Sequence, residues 1–139
     1  MTEINLLDRY PRSNRPIDER GVSITEEHRE TARQFGKEFF DGERLTGYGG
    51  YNYHPRFWTD TVARFRNHYS LPTDARILDV GCAKGFMLHD FALLMPEATL
   101  TGIDISDYAI KNAIEDMRPH LQVGSADDLP FDDNAFDLV

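Results

Sequence analysis

Asp79-Val80-Gly81-Cys82-Ala83-Lys84-Gly85 is the stretch on which the fold depends. Ahead of it, Arg76-Ile77-Leu78-Asp79-Val80 is a short apolar run opening into Gly81, the pattern of a buried strand. Behind it, Phe86 to Leu94 reads as a helix stopped by Pro96. A glycine turn between strand and helix lets a ligand approach the backbone and meet the amides of the helix N-terminus. Further out, Thr99-Leu100-Thr101-Gly102-Ile103 is a second strand ending at Asp104, and Asp107 to Met117 is a helix closed by Pro119. Leu121-Gln122-Val123 is a third strand, and Ala135 to Val139 begins a fourth. Strands alternating with helices at this pitch imply parallel βαβ units, so the expected class is α/β with helices flanking a parallel sheet.

The spacing of the turn says which ligand it suits. A dinucleotide fingerprint needs small residues at a G-x-G-x-x-G/A spacing. Counted from Gly81, those positions are Gly81, Ala83 and Phe86, and Phe86 is too bulky for the close helix–strand approach of the third. The alternative, acid-x-G-x-x-x-G, is matched by Asp79, Gly81 and Gly85. It ends the strand in a carboxylate, which repels a pyrophosphate and attracts a cation. S-adenosyl-L-methionine (SAM) carries a cationic amino group and a sulfonium, with no phosphate, so the sign of the charge favours it. Asp104, 25 residues after Asp79, ends the second strand, where a carboxylate can accept from both ribose hydroxyls of NAD or SAM alike. A nicotinamide oxidoreductase is thus disfavoured by Phe86 and Asp79, not by Asp104.

Upstream, residues 1–22 hold Pro11, Pro16, Gly21 and many charges without a clear period, and read as an extended arm, ordered only if it packs on something. Residues 23–75 read as a helical segment. Ser23 and Glu26 have capping-box spacing, and Ala32, Phe35 and Phe39 continue one apolar stripe from about 24 to 40, ended by Asp41-Gly42. An aromatic, glycine-rich loop follows, Gly47-Tyr48-Gly49-Gly50-Tyr51-Asn52-Tyr53-His54. Pro55 suits the first position of a second helix, with Trp58, Val62, Phe65 and Tyr69 on one face.

Charge narrows the function classes. The net charge is −9; residues 1–75 hold 11 Lys/Arg against 12 Asp/Glu, and residues 76–139 hold 4 against 12. With no basic stripe, nucleic acid and anionic membrane surfaces are poor partners, and a small molecule is the expected one. The single cysteine, Cys82, excludes an internal disulfide, and no Cys/His cluster has zinc spacing. No apolar run reaches the ~18 residues of a membrane span, and the N-terminus lacks signal-peptide texture, so a cytoplasmic location is the default expectation.

Ile77 to Gly85, Gly102-Ile103-Asp104-Ile105-Ser106, Ala126 to Phe131 and Phe136-Asp137-Leu138-Val139 together resemble the first four motifs of class I, Rossmann-like SAM-dependent methyltransferases, in order and at the usual spacing. Gly47 to Tyr51 resembles the N-terminal lid segment of small members of that superfamily. The resemblance implies roles for the matching positions. Asp79, Gly81, Cys82 and Gly85 would surround the methionine part of SAM, Asp104 would hold the ribose, and Ile105 would lie against the adenine. Ala126 and Asp127 would sit at the adenine edge, Ser125 standing where many relatives have an aspartate. Tyr48 and Tyr51 are candidates for contact with the cofactor or the methyl acceptor, and His54 is the one candidate base. Ala83 replaces the more usual middle glycine, which it can do if its φ is negative; Lys84 reads as a surface residue at the helix start.

The resemblance implies a seven-stranded sheet, so residues 76–139 are expected to be an incomplete SAM-binding core truncated after about four strands. Two readings follow. One is a SAM-dependent methyltransferase acting on a small molecule, present as a fragment or completed by a partner chain or a missing C-terminal half. The other is a non-catalytic SAM-binding remnant or subunit.

Overall fold

The computed structural model describes residues 3–12 and 21–139. Part of the expected arm over 1–22 therefore lies outside the described residues. The elements are α1 (Glu26–Arg33), α2 (Lys37–Phe40), α3 (Thr59–Tyr69), β1 (Arg76–Val80), α4 (Phe86–Leu94), β2 (Thr99–Asp104), α5 (Asp107–Lys111) and β3 (Leu121–Val123). The strands form a parallel sheet in the order β1-β2-β3, with Asp79 opposite Gly102 and Asp104 opposite Val123. On the other edge of β1, Leu138 bridges in parallel to Ile77, its carbonyl accepting from the Leu78 amide at 2.9 Å. The expected fourth strand is present as that single bridge, and it extends the spatial order to β3-β2-β1-Leu138. This is a Rossmann-like arrangement.

The core lies where α4 covers the sheet. Helix α4 is apolar on most sides, as a helix sandwiched between layers must be. Leu88 and Phe91 are fully buried, and Ile77 and Ile103 of the sheet are 1% exposed. Helix α3 closes the outer side through Val62 and Phe65, the latter stacked 6.4 Å from Phe91. Each such side chain contributes about 1.5–3 kcal/mol of burial. Gly102 in β2 is needed for this closure. A Cβ there would come within 2.5 Å of Leu121 Cδ2 and 2.8 Å of Cys82 Sγ. Gly102→Ala is therefore expected to cost about 1–3 kcal/mol through overpacking, read as a lower urea midpoint from the fluorescence of Trp58. An unchanged midpoint would show that the turn and β3 do not close on this strand.

Several local expectations are corrected. The cap of α1 is Thr25, not Ser23: its side chain accepts from the His28 amide while His28 reaches back to the Thr25 amide. The apolar stripe over 24–40 does not make one helix, because Phe35 takes a left-handed φ of 48° and Gly36 is the N-cap of a separate helix, α2. Pro55 does not begin α3. Residues 55–58 are a turn, and Trp58 caps a helix whose first residue is Thr59. The helix from Asp107 ends at Lys111 rather than Met117, and Pro119 lies inside a 3-10 turn, Arg118–His120. Among the described residues no helix is long and apolar enough to cross a membrane.

Candidate functional site

The glycine turn is stitched to the end of the neighbouring strand. The Gly81 and Cys82 amides both donate to the Ile103 carbonyl, at 2.7 and 3.2 Å. The Ala83 amide donates to Asp104 Oδ2 at 2.8 Å, and Asp104 Oδ1 accepts from the Ser106 amide at 2.8 Å. Asp104 thus holds the turn as well as ending its strand, while Ser106 caps α5 by accepting from the Ala109 amide. Gly81 has φ +84° and open space where a Cβ would point. Gly85 has φ +80° and a Cβ there would press on Leu121 and Met117. Ala83 also has a positive φ, 50°, contrary to the condition under which it could replace glycine without strain. Its Asp104-bound amide and its buried methyl, packed with Phe40 and Ala109, hold it there.

Asp79, at the end of β1, lies within reach of the charge of Asp104. Burial pushes the Asp79 carboxyl up to about 6, and the charge of Asp104 adds to the effect. Among the described residues no donor or cation meets the Asp79 carboxylate. Burial, then the same two charges, also raises the thiol of Cys82, which is 4% exposed and therefore inert as a nucleophile. Tyr51 is raised by burial, by Tyr48 and Tyr10, and again by Asp79 and Asp104. The turn, both strand-end acids and the aromatic loop are therefore mutual neighbours. A desolvated carboxylate without a counter-charge suits a cationic group, as SAM offers, and resists a phosphate.

The remaining positions lie further out. Ile105 is 61% exposed beside Asp104. Ala126 and Asp127 are exposed in the loop after β3, where the Asp127 amide donates to Ser125 Oγ at 3.2 Å. Tyr48 is 42% exposed and lies 4.5 Å from the Tyr51 ring. His54 is exposed, and its Nδ1 accepts from the Arg56 amide at 3.2 Å.

Sequence reasoning missed the polar anchors that hold the N-terminal segment over the turn. Lys84 is not on the surface but 6% exposed, its ammonium donating to both Asp41 oxygens at 2.9 and 2.7 Å and to the Tyr51 carbonyl at 2.9 Å. Asp41 also accepts from the Tyr51 amide and the Tyr108 hydroxyl. Asp90, 3% exposed on the otherwise apolar α4, accepts from Tyr53 at 2.6 Å. Burial, the hydrogen bond and the charge of Asp90 push the Tyr53 hydroxyl up to about 12. Ser106 Oγ donates to the Phe35 carbonyl. The signal available in sequence was an acid on an apolar helix; its partner, 37 residues away, has no local pattern.

Between the aromatic loop and the start of α3 lies a cleft of about 540 Å³, walled by Tyr48, Tyr51, Tyr53, Phe57, Trp58 and Phe86, with Tyr10 at its edge. Phe86, the residue too large for a dinucleotide turn, stacks on Tyr51 at 5.0 Å.

The chain is similar to known proteins over part of its length. The family described as "Methyltransferase domain" matches residues 72–139. An uncharacterized methyltransferase of Schizosaccharomyces pombe is 33% identical over 92 residues, covering 58% of this chain and 33% of that protein. The malonyl-[acyl-carrier protein] O-methyltransferase of Legionella pneumophila is 41% identical over 68 residues, covering 46% of this chain and 24% of that protein. The chain thus spans a third or less of these curated relatives. Among solved structures, the MccD protein superposes with a TM-score of 0.51 at 30% identity, over 61% of this chain and 40% of that one.

Proposed function

We propose that this protein is of the class I, Rossmann-like SAM-dependent methyltransferase kind, binds SAM at the Gly81–Gly85 turn and serves methyl transfer to a small-molecule acceptor; the match of residues 72–139 to a methyltransferase domain supports the reading. The observation that carries the reading is the Asp79 carboxylate, desolvated, without a counter-charge and next to Asp104. When bound, SAM supplies a methyl carbon already activated by its positive sulfur, which leaves as a neutral thioether when an acceptor lone pair attacks.

The chain's own residues have four tasks in this reading. Asp79 faces the cationic methionine moiety, and the open side of Gly81 lets it approach the backbone. Asp104 keeps lone pairs beyond those engaged by Ala83 and Ser106, and these face the ribose hydroxyls. The exposed Ile105 flanks the adenine, with Ala126 and Asp127 at its edge. The aromatic loop, anchored by Lys84 and Asp90, lies over the turn and limits access of water to it. Catalysis in such a site is mainly alignment of acceptor and methyl.

Calorimetric titration with SAM, S-adenosylhomocysteine and NADH tests this: heat is expected from the first two and none from NADH. NADH binding without a response to SAM would overturn the reading. Asp104→Ala is expected to weaken SAM binding by about 1–3 kcal/mol through lost charged hydrogen bonds. Unchanged affinity in a folded variant would show that the ribose ligand lies elsewhere.

A further inference from the structure

The cleft beside the turn has a charge character opposite to that of the chain. The whole protein carries −9, yet every charged side chain lining this cleft among the described residues is an arginine, Arg44 or Arg56. Most of its other wall residues are aromatic, with Asn52 and His54 among them, and at about 540 Å³ it is of the size that encloses a small organic molecule. The Arg56 guanidinium is held 4.7 Å over the Phe57 ring, and no carboxylate among the described residues pairs with it. One side of the guanidinium is thereby covered, leaving its N–H groups to donate to an anion. The cleft also adjoins the cofactor turn. Tyr51 lines it and feels the charges of Asp79 and Asp104, while Phe86, also in its wall, is the first residue of α4.

We propose that this cleft is the acceptor site and that it selects an anionic small molecule with a planar apolar body, the anion meeting Arg56 and the body lying among the Tyr51, Tyr53 and Trp58 rings. The assignment rests on the SAM reading above and adds the chemical class of its acceptor. A carboxylate could also come from the methionine end of SAM, so the test separates the two sources.

The probe is 4-hydroxybenzoate, compared with its neutral counterpart 4-hydroxybenzamide, titrated into protein saturated with S-adenosylhomocysteine and followed by ligand-observed NMR. The benzoate is expected to bind about 10-fold tighter than the amide, and Arg56→Gln to remove that difference while leaving S-adenosylhomocysteine affinity unchanged. Equal binding of the two probes, no saturable binding of either, or an unaltered preference in Arg56→Gln would overturn the proposal. If Arg56→Gln instead weakens S-adenosylhomocysteine, the arginine serves the cofactor's carboxylate and the proposal also fails. Failure of S-adenosylhomocysteine to bind wild-type protein would be the failure of the SAM reading itself, and it is read in the first titration.

Discussion

Asp79→Asn is expected to weaken SAM binding about 10- to 100-fold and, in the same protein, to stabilise the unliganded fold above pH 7. Both effects have one cause. The Asp79 carboxyl is raised to about 6, first by burial and then by the charge of Asp104, so its ionised form is disfavoured in the native state. A carboxyl with a raised folded pKa contributes fully to stability below its unfolded value of 3.8, and that contribution is lost as pH rises through about 6. The neutral asparagine escapes the loss, so the advantage of the variant should be absent near pH 4 and complete above pH 7. Its size should be on the order of 2 kcal/mol. The same proton competes with a cationic ligand, so wild-type affinity for SAM should rise about 10-fold from pH 5 to 7.5 and that of Asp79→Asn should not. Thermal melts across this range and calorimetry at its two ends check both halves. A variant that is less stable at pH 8 and binds SAM normally would contradict them.

Asp41→Ala is expected to destabilise the fold by about 3–5 kcal/mol, because it leaves a buried ammonium without its counter-ion. The Lys84 side chain is 8% exposed and would keep only the Tyr51 carbonyl. The reverse truncation is milder. In Lys84→Met the Asp41 side chain, 25% exposed, retains the Tyr51 amide and the Tyr108 hydroxyl, and a loss of about 1–2 kcal/mol is expected. Burial tends to raise the Asp41 carboxyl, but the bonds from Lys84, Tyr51 and Tyr108 outweigh it and hold the group below its ordinary 3.8. Its contribution is therefore present above pH 3.8 and lost as pH falls below that, so the gap between wild type and Asp41→Ala should narrow on acidification. Urea unfolding followed by Trp58 fluorescence measures each variant; equal losses for the two substitutions would show that the pair is not desolvated.

What the sequence disclosed depended on whether the deciding interaction was local. Strand β1, helix α4 and strand β3 have the bounds read from their apolar runs and their Gly and Pro stops, because those signals sit within the elements themselves. The N-terminal helix was harder to read. Ser23 and Thr25 both precede an acidic turn, and only the reciprocal bond with His28 distinguishes them. The break at Phe35 is set by a left-handed residue ahead of Gly36, which an apolar period cannot register. At the turn, the spacing of Asp79, Gly81 and Gly85 was legible and the charges of Asp79 and Asp104 prove to be neighbours. The strained Ala83 was not legible, since its φ is fixed by an aspartate 21 residues away. Lys84 misled for a similar reason: a lysine at a helix start is solvated unless a partner is brought to it, and Asp41 arrives from 43 residues upstream.

The central claim is that a half-buried carboxylate at the end of β1 waits for a cation, and carboxyl carbon NMR of Asp79 measures this directly. In protein without ligand, the Asp79 carbon should titrate at about 6, and saturation with SAM should return it to the ordinary carboxylate range. If Asp79 titrates near 3.8 without ligand, or if saturating SAM leaves its titration unmoved, the account is wrong.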